Sequence, residues 1–242
     1  MSILDKIIQT KKEEIKLIQI ESSSKEWKRS SFLKKLEKNK LHLIAEVKKA
    51  SPSKGEIYKH FNPLELAASF EANGASCISV LTDESYFKGN KTYLTQIKEN
   101  SSLPILRKDF ILDPIQVKET KQIGADVMLL ILDILSINQA NELIEAATKE
   151  DLDVLIEIHA LKTLDKLKEI KFKPIVGVNN RNLSSFECNI NHALTIGKKI
   201  KTLDPNIKII AESGYFNTNE MDELEKNNII GALSVSKEQT DL

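Results

Sequence analysis

Five charged residues lie at the ends of short apolar runs in this sequence, and their side chains suit acid–base chemistry. They are Glu46, Lys48, Lys108, Glu157 and Glu212. A charge inside an apolar strand is costly unless it is paired, so a structural ion pair explains any single one as well as a site does. Glu46 and Lys48 are two residues apart and point to the same side of a strand. Five such charges are hard to explain as packing, whereas converging lysines and carboxylates suit general acids and bases.

Two further groups of polar residues follow such runs. Asn179 and Arg181 end one run, and by residue type alone they fit an ordinary polar loop as well as a binding site. Ser213 and Gly214 stand at the start of a crossover, where a hydroxyl and backbone N–H groups suit a phosphate. On its own, that pair is also an ordinary turn.

Short β-branched runs recur from residue 41 onward. We predict eight strands, at Leu43–Val47, Cys77–Leu81, Ile105–Leu106, Val127–Ile131, Val154–Ile158, Ile175–Val178, Ile209–Ala211 and Ala232–Val235. Helical patterns separate them, and this alternation requires parallel pairing through crossovers. Eight strands in about 200 residues predict a (β/α)8 TIM barrel, an α/β fold whose sites lie at the carboxyl ends of the strands. An open doubly wound sheet is the alternative, but its G-x-G-x-x-G turn is missing from the sequence.

The helical patterns have recognisable ends. We predict helices at Pro63–Ala72, Pro114–Ile123, Asn138–Lys149, Leu161–Ile170, His192–Ile200 and Asn219–Lys226. Gly74, Gly124 and Gly231 occur at three similar joints between a helix and the next strand. A glycine just past a helix suits a left-handed backbone conformation, so we interpret these joints as a weak internal repeat.

The first forty residues differ from the rest. Apolar residues at helical spacing from Leu4 to Ile18 predict an amphipathic helix packed on a core. Residues Ser31 to Lys38 predict a second short helix. We therefore predict one barrel domain over residues 1–242, with residues 1–40 as an N-terminal helical extension.

Composition argues against several classes of partner. The 242-residue chain has 35 Lys and Arg and 35 Asp and Glu, so its formal net charge is zero. This balance gives no support for a nucleic-acid or membrane partner. No apolar run reaches the length of a transmembrane helix, and the N-terminus lacks a signal-peptide core. Cys77 and Cys188 make no disulfide framework, so we expect free thiols and a cytoplasmic location.

Other residues are less informative. The four histidines, His42, His60, His159 and His192, show no metal-ligand spacing. We expect each of them to be a surface residue or a structurally satisfied one. Tyr86-Phe87 fits a hydrophobic lid and simple loop packing equally well.

Several segments together resemble the indole-3-glycerol-phosphate synthase family, which has the (β/α)8 barrel fold. They are ILDKIIQTKKEEI, IAEVKKASPSKGEI, SVLTDESYFKG, LPILRKDFILDPIQV, GADVMLLI, VLIEIH, IVGVNNRNL and IIAESGY. The pairing of EVKKASPSKG with LRKDFI is highly specific, and the match covers nearly the whole chain.

The resemblance implies a reaction and a role for each charged residue. The reaction is ring closure, decarboxylation and dehydration of 1-(o-carboxyphenylamino)-1-deoxyribulose 5-phosphate in tryptophan biosynthesis. Lys108 would be the general acid and Glu157 its acid–base partner. Lys48, paired with Glu46, would hold anionic and hydroxyl groups of the substrate and help to expel the hydroxyl. Glu212 would support the lysines.

The resemblance also implies which residues bind the substrate. Asn179, Arg181 and Ser51 would bind its polar groups, because the fork of an arginine matches a carboxylate. The phosphate would be bound by Ser213, Gly214 and Ser236. No metal and no organic cofactor are implied. The partner would be a small phosphorylated substrate, and the chain a monomer or a weak homo-oligomer.

The last strand departs from the family pattern. Family members usually have a Gly-Ser or Gly-Glu pair there, whereas Val235 stands at the glycine position and Ser236 at the serine position. Valine is penalised where a positive φ is needed, and the residues after Ser236 are too few for a crossover helix. We therefore expect a shortened C-terminal βα unit. Two hypotheses follow, an active synthase or a catalytically impaired barrel that binds a phosphorylated ligand or a partner chain.

Overall fold

The computed structural model describes residues 2–20, 25–36, 40–52, 55–182, 187–214 and 217–234. Its strands are β1 (His42–Val47), β2 (Ala50–Ser51), β3 (Gly55–Glu56), β4 (Cys77–Leu81), β5 (Ile105–Lys108), β6 (Val127–Ile131), β7 (Asp153–Ile158), β8 (Ile175–Asn179), β9 (Lys208–Glu212) and β10 (Gly231–Ser234). Strands β2 and β3 form an antiparallel hairpin, and the other eight form a closed parallel barrel. The barrel closes where β1 pairs with β10, from His42 opposite Gly231 to Ala45 opposite Ser234. The predicted barrel is confirmed, and the open sheet is not found.

Ten α-helices accompany the strands in the described residues. They are α1 (Ile3–Ile15), α2 (Phe32–Lys35), α3 (Pro63–Ala72), α4 (Glu84–Phe87), α5 (Lys91–Asn100), α6 (Pro114–Gln122), α7 (Ile137–Lys149), α8 (Thr163–Glu169), α9 (Asn191–Leu203) and α10 (Thr218–Lys226). Within the described ranges, none of them is long and apolar enough to cross a membrane.

Helix α5 is an element that the sequence reasoning missed. Its segment contains Thr92, Tyr93 and Thr95, which have low intrinsic helix propensity. Leu94 and Ile97 on its inner side are fully buried against the barrel. Tertiary packing of these two side chains therefore outweighs the local propensity.

The glycine interpretation is correct at two joints and wrong at the third. Gly74 and Gly124 have φ values of 85° and 96°, as the left-handed residue after a helix requires. Gly231 instead begins strand β10. The left-handed position after α10 belongs to Asn228, with φ 57°, because asparagine tolerates this conformation better than most residues.

Helix α2 closes the amino-terminal end of the barrel. Phe32 is fully buried in the cluster that fills the barrel interior. Asp153 at the start of β7 accepts hydrogen bonds from the Ser31 hydroxyl (2.8 Å) and the Leu33 amide (3.0 Å). Lys208 at the start of β9 donates to the carbonyl oxygen of Leu33 (3.1 Å). The carboxyl ends of the strands are left as the end at which a site can form.

Candidate active site

One pocket at the carboxyl ends of the barrel strands contains nearly every predicted site residue. Its lining includes Glu46, Lys48, Ser51, Lys108, Glu157, Asn179, Arg181, Glu212, Ser213 and Gly214. Ser236 lies outside the described residues, as does the rest of the segment on which the shortened last unit was predicted. The parallel barrel brings these residues together because all its strands end on the same side.

Lys108 lies in the pocket between two carboxyl groups from other strands. Its Nζ lies 2.5 Å from Oε2 of Glu157 and 3.3 Å from Oε2 of Glu212. Burial disfavours its charged form, but the charges of Glu157, Glu212 and Glu46 outweigh that effect and raise the pKa of Lys108. The ammonium is therefore protonated at neutral pH, as a general acid must be before the reaction.

The environment shifts the pKa values of the two carboxyl groups beside Lys108 in opposite directions. Burial acts to raise the pKa of Glu157, but the charges of Lys108 and His159 outweigh it and hold that pKa well below its usual value. Burial, together with the negative charge of Glu157, raises the pKa of Glu212 to about 8. At neutral pH the three groups of this contact are thus expected to be an ammonium at Lys108, a carboxylate at Glu157 and a carboxyl group at Glu212 that favours its protonated form.

A glycine on the neighbouring strand makes room for Glu212. A Cβ atom at Gly177 in β8 would lie 2.0 Å from Oε1 of Glu212. Real Cβ atoms do not approach that closely, so any larger residue would displace the carboxyl group. The small residue in the strand is explained by the side chain it faces.

Glu46 and Lys48 meet on the first strand and the segment after it, as predicted. Their carboxylate and ammonium groups form a hydrogen-bonded ion pair. Glu46 is buried, and Lys48 remains partly accessible from the pocket. The pair can therefore present an ammonium to an anionic or hydroxylated ligand.

The end of β8 supplies amide and guanidinium groups. Nδ2 of Asn179 lies 3.3 Å from Oε1 of Glu157 and donates to it, and Oδ1 of Asn179 accepts the Arg181 amide at 3.0 Å. Arg181 also pairs with Cys188 in an isolated antiparallel bridge. These contacts fix the backbone that carries the Arg181 side chain.

Two successive residues with left-handed backbone form the turn after β9. Ser213 has φ 67° and Gly214 has φ 90°. A Cβ atom at Gly214 would lie 2.8 Å from Sγ of Cys188. Larger residues are therefore disfavoured at this position by the lack of space as well as by the positive φ. The Ser213 amide donates to the carbonyl oxygen of Leu233 at 3.1 Å. That N–H group is therefore already used, which corrects the expectation that both backbone amides are available to a phosphate.

His159 belongs to the site, contrary to the expectation that it is a surface or merely structural residue. It lines the pocket, and its Nε2 lies 3.0 Å from Oε1 of Glu157. It follows Glu157 by two residues, which is the spacing that already placed Glu46 and Lys48 on one side of a strand. The same rule could have found it.

An aromatic wall faces the charged cluster. Phe87 and Phe110 line the pocket with their ring centroids 6.2 Å apart. Tyr86 points elsewhere and hydrogen-bonds to Thr10 of α1 at 3.0 Å. The two residues of the Tyr86-Phe87 pair thus have different roles, one in the wall and one in attaching the N-terminal helix.

The N-terminal helix contributes a buried lysine that the sequence reasoning did not single out. Nζ of Lys11 lies 2.9 Å from Oδ1 of Asp109 and 3.1 Å from Oδ2 of Asp83. Asp109 directly follows Lys108, and the side chain of Asp83 caps α4, which ends at Phe87. Helix α1 is thereby connected to the segments that carry Lys108 and the aromatic wall.

No cluster of three or more His, Cys, Asp or Glu side chains with metal-binding geometry occurs in the described part of the chain. Both cysteines are free, Cys77 buried in the barrel and Cys188 exposed. The chemistry that the pocket offers through its side chains is proton transfer and charge stabilisation by lysines and carboxylates.

Comparisons with known proteins agree with this arrangement. Residues 4–237 match the family described as indole-3-glycerol phosphate synthase. A protein of that name from Priestia megaterium is 45% identical over 216 residues, which are 88% of this chain and 83% of that one. Another from Bacillus pumilus is 41% identical, covering 93% of this chain and 89% of that one. The solved N-acetylmannosamine-6-phosphate 2-epimerase from Clostridium perfringens shares the fold, with a TM-score of 0.62, 14% identity, and coverage of 88% of this chain and 93% of that one.

The fold and the pocket define the class first, a (β/α)8-barrel enzyme with lysine–glutamate acid–base chemistry at the strand ends. The chain belongs to the indole-3-glycerol phosphate synthase family. It is therefore a carboxy-lyase of tryptophan biosynthesis. Family membership favours the active synthase over the catalytically impaired barrel.

Proposed function

We propose that this chain converts 1-(o-carboxyphenylamino)-1-deoxyribulose 5-phosphate into indole-3-glycerol phosphate, carbon dioxide and water by means of the Lys108 cluster. The observation that carries the proposal is the position of Lys108 between Glu157 and Glu212, in a pocket that also has an aromatic wall. A protonated lysine, an ionised glutamate and an apolar surface are the groups that this reaction needs from an enzyme.

Lys108 acts in the ring closure. The ring carbon that bears the carboxylate attacks the ribulose carbonyl carbon, and a new carbon–carbon bond forms. The carbonyl oxygen takes the proton of Lys108 and becomes a hydroxyl, so that negative charge does not accumulate on it. Carbon dioxide then leaves, and the electrons of the broken bond restore the aromatic ring.

Glu157 and Lys48 act in the dehydration. The new hydroxyl leaves as water with a proton from Lys48, which the ion pair with Glu46 keeps at the pocket. Glu157 accepts the proton from the carbon beside the nitrogen, and the double bond of the indole forms. Lys108 and Lys48 have each given a proton and Glu157 has gained one, so each turnover consumes one proton. Glu212 supports Lys108, from which its Oε2 lies 3.3 Å away.

The substrate would bind across the pocket. Its aromatic ring packs on Phe87 and Phe110, and its carboxylate pairs with Arg181 near Asn179 and Ser51. An arginine fork offers two parallel donors to a carboxylate, which fixes the ring as well as neutralising the charge.

The phosphate would bind at the turn after β9 and at the end of β10. Since the Ser213 amide is already used, we assign the Ser213 hydroxyl and the Gly214 amide to the phosphate. By the resemblance we also assign Ser236 to the phosphate; it follows the last residue of β10 by two positions in the sequence.

Product formation tests the proposal directly. Purified protein with millimolar substrate should produce indole fluorescence, with one carbon dioxide released for each product molecule. Folded protein that gives no turnover would contradict the proposal and restore the impaired barrel that only binds a phosphorylated ligand.

The remaining properties are extensions of the same proposal. We assign the chain a single barrel domain with an N-terminal helical extension, a cytoplasmic location, and a monomeric or weakly homo-oligomeric state without a nucleic-acid partner. Light scattering at several protein concentrations measures the oligomeric state.

A further inference from the structure

His159 connects the base of the site to a second carboxylate outside it. Its Nε2 lies 3.0 Å from Oε1 of Glu157, and its Nδ1 lies 3.2 Å from Oδ2 of Asp133. The imidazole is buried, so both contacts are shielded from water. A histidine that bridges two carboxylates is held most firmly when both of its nitrogens carry protons.

Asp133 is itself held rigidly. It lies in the 3-10 helix Leu132–Ile134 that follows β6. Its Oδ2 also accepts the backbone amide of His159 at 2.9 Å, and its Oδ1 accepts the Thr163 hydroxyl at 2.6 Å. The imidazole therefore has one orientation, fixed from the side that faces away from Glu157.

The contacts divide the two oxygens of Glu157. Oε1 lies 3.0 Å from Nε2 of His159, an ion-pair contact without hydrogen-bond alignment, and accepts the amide of Asn179 at 3.3 Å. Oε2 accepts from Lys108 at 2.5 Å. The carboxylate cannot rotate without losing contacts on both oxygens. It is the Oε2 side that faces Lys108, and that side would meet the substrate.

We propose that His159 is a positioning residue for the reaction, which as an imidazolium held by Asp133 keeps Glu157 ionised and directs Oε2 toward Lys108. The proposal rests on the proposed function, because it assigns Glu157 the role of base. His159 itself does not touch the reacting atoms in this account.

Charged and titratable groups surround His159 on several elements. Glu157 from β7 and Asp133 from the 3-10 helix contact the imidazole, and Glu212 from β9 acts on it through its charge. Nε2 of His192 from α9 lies 2.7 Å from the His159 carbonyl oxygen, and Lys108 from β5 lies on the far side of Glu157, at Oε2. Burial acts to lower the pKa of His159, but Glu157 and Asp133 outweigh it and raise that pKa to about 9. The imidazolium form is thus the one expected at neutral pH.

Two substitutions separate charge from orientation. His159→Gln keeps a neutral donor near the position of Nε2, and His159→Ala removes both the donor and the charge. We expect the acid limb of the kcat/KM–pH profile to move upward in both variants, by about one pH unit in His159→Ala, as loss of a neighbouring opposite charge predicts. We expect kcat at neutral pH to fall about tenfold or more in His159→Ala and less in His159→Gln.

The matched control is His60→Ala, at an exposed histidine away from the pocket. It should leave the profile and kcat unchanged. A merely structural histidine would change the melting temperature and lower activity equally at every pH, with the acid limb in place. That result in both His159 variants would overturn the proposal.

NMR titration of the His159 ring provides a readout that needs no turnover. We expect an imidazolium that persists to a pH of about 9 in the unsubstituted protein and a lower pKa in Asp133→Asn, which removes one negative neighbour. An ordinary pKa near 6.5 would overturn the proposal even in an active enzyme. A raised pKa in a protein without turnover would instead reject the proposed function and leave the charge relationship standing.

Discussion

Oε2 of Glu157 lies 2.5 Å from the ammonium nitrogen of Lys108, although the two residues come from strands that are not neighbours in the barrel. Lys108 ends β5, Glu157 lies in β7, and β6 runs between these strands. In a barrel, alternate strands contribute side chains to the same interior layer. The contact between the proposed acid and the proposed base is therefore a product of barrel closure.

Removal of the proposed general acid, Lys108, should abolish most of the activity. We expect Lys108→Ala to lower kcat by about 10² to 10⁴, the range for loss of a positioned acid or base. Steady-state assays of indole fluorescence measure this effect. Lys199→Ala, at an exposed lysine of α9, should keep the full rate. An unchanged rate in Lys108→Ala would refute the assignment of Lys108.

A methyl group at Gly177 should disturb the site while sparing the fold. The new Cβ atom would meet Oε1 of Glu212 at 2.0 Å, so the flexible end of Glu212 must move. We expect Gly177→Ala to lower kcat by up to about 10², as a displacement of about 1 Å in a site can. The control is Gly197→Ala in α9, where the nearest atom to the new Cβ would be at an ordinary 3.5 Å. Equal activity in the two variants would show that Glu212 does not act on Lys108.

The raised pKa of Glu212 predicts how stability depends on pH. The folded protein retains the proton of this carboxyl group up to a pH of about 8, whereas the ordinary value is 4.5. Between these values the folded state binds more protons than the unfolded state, so the free energy of unfolding falls as pH rises. Urea titrations at several pH values should show this slope reduced in Glu212→Gln. A slope that the substitution leaves unchanged would contradict the raised pKa.

Loss of the buried lysine of α1 should destabilise the protein. Lys11→Met leaves Asp83 and Asp109 without their shared cation, and breaking a buried pair in this way costs about 3–5 kcal/mol. Lys12→Met, at the exposed neighbour, should change the free energy of unfolding by less than about 0.5 kcal/mol. Chemical denaturation measures both values. Equal stability of the two variants would show that the cluster contributes nothing.

The turn after β9 should decide the affinity for the phosphate. Gly214→Ala places a Cβ atom 2.8 Å from Sγ of Cys188 in a left-handed backbone, so the turn must open. We expect a higher KM and weaker inhibition by inorganic phosphate, with a smaller effect on kcat. A fall in kcat at unchanged KM would place Gly214 in the chemical step and not in phosphate binding.

Much of this molecule follows from the sequence alone. Apolar β-branched runs that alternate with helical patterns determine the strands and the parallel barrel, because side-chain periodicity is a local property. Cys77–Leu81 and Val127–Ile131 were predicted with the bounds that the structure has. Glu46, Lys108 and Glu212 were found because a charge inside an apolar strand is conspicuous and the barrel rule places strand ends together.

Tertiary structure decided those features that depend on contacts between residues far apart in the chain. Helix α5 forms because Leu94 and Ile97 find a surface to pack on, and Gly231 lies in a strand because β1 pairs with it. His159 lies against Glu157 in the pocket and is held from outside it by Asp133. Lys11 connects α1 to Asp109, the residue after Lys108. The sequence determines which side chains are present and which way each strand presents them. The short distances between Lys108, Glu157 and Glu212, which shift the pKa values of all three, arise only when the barrel closes.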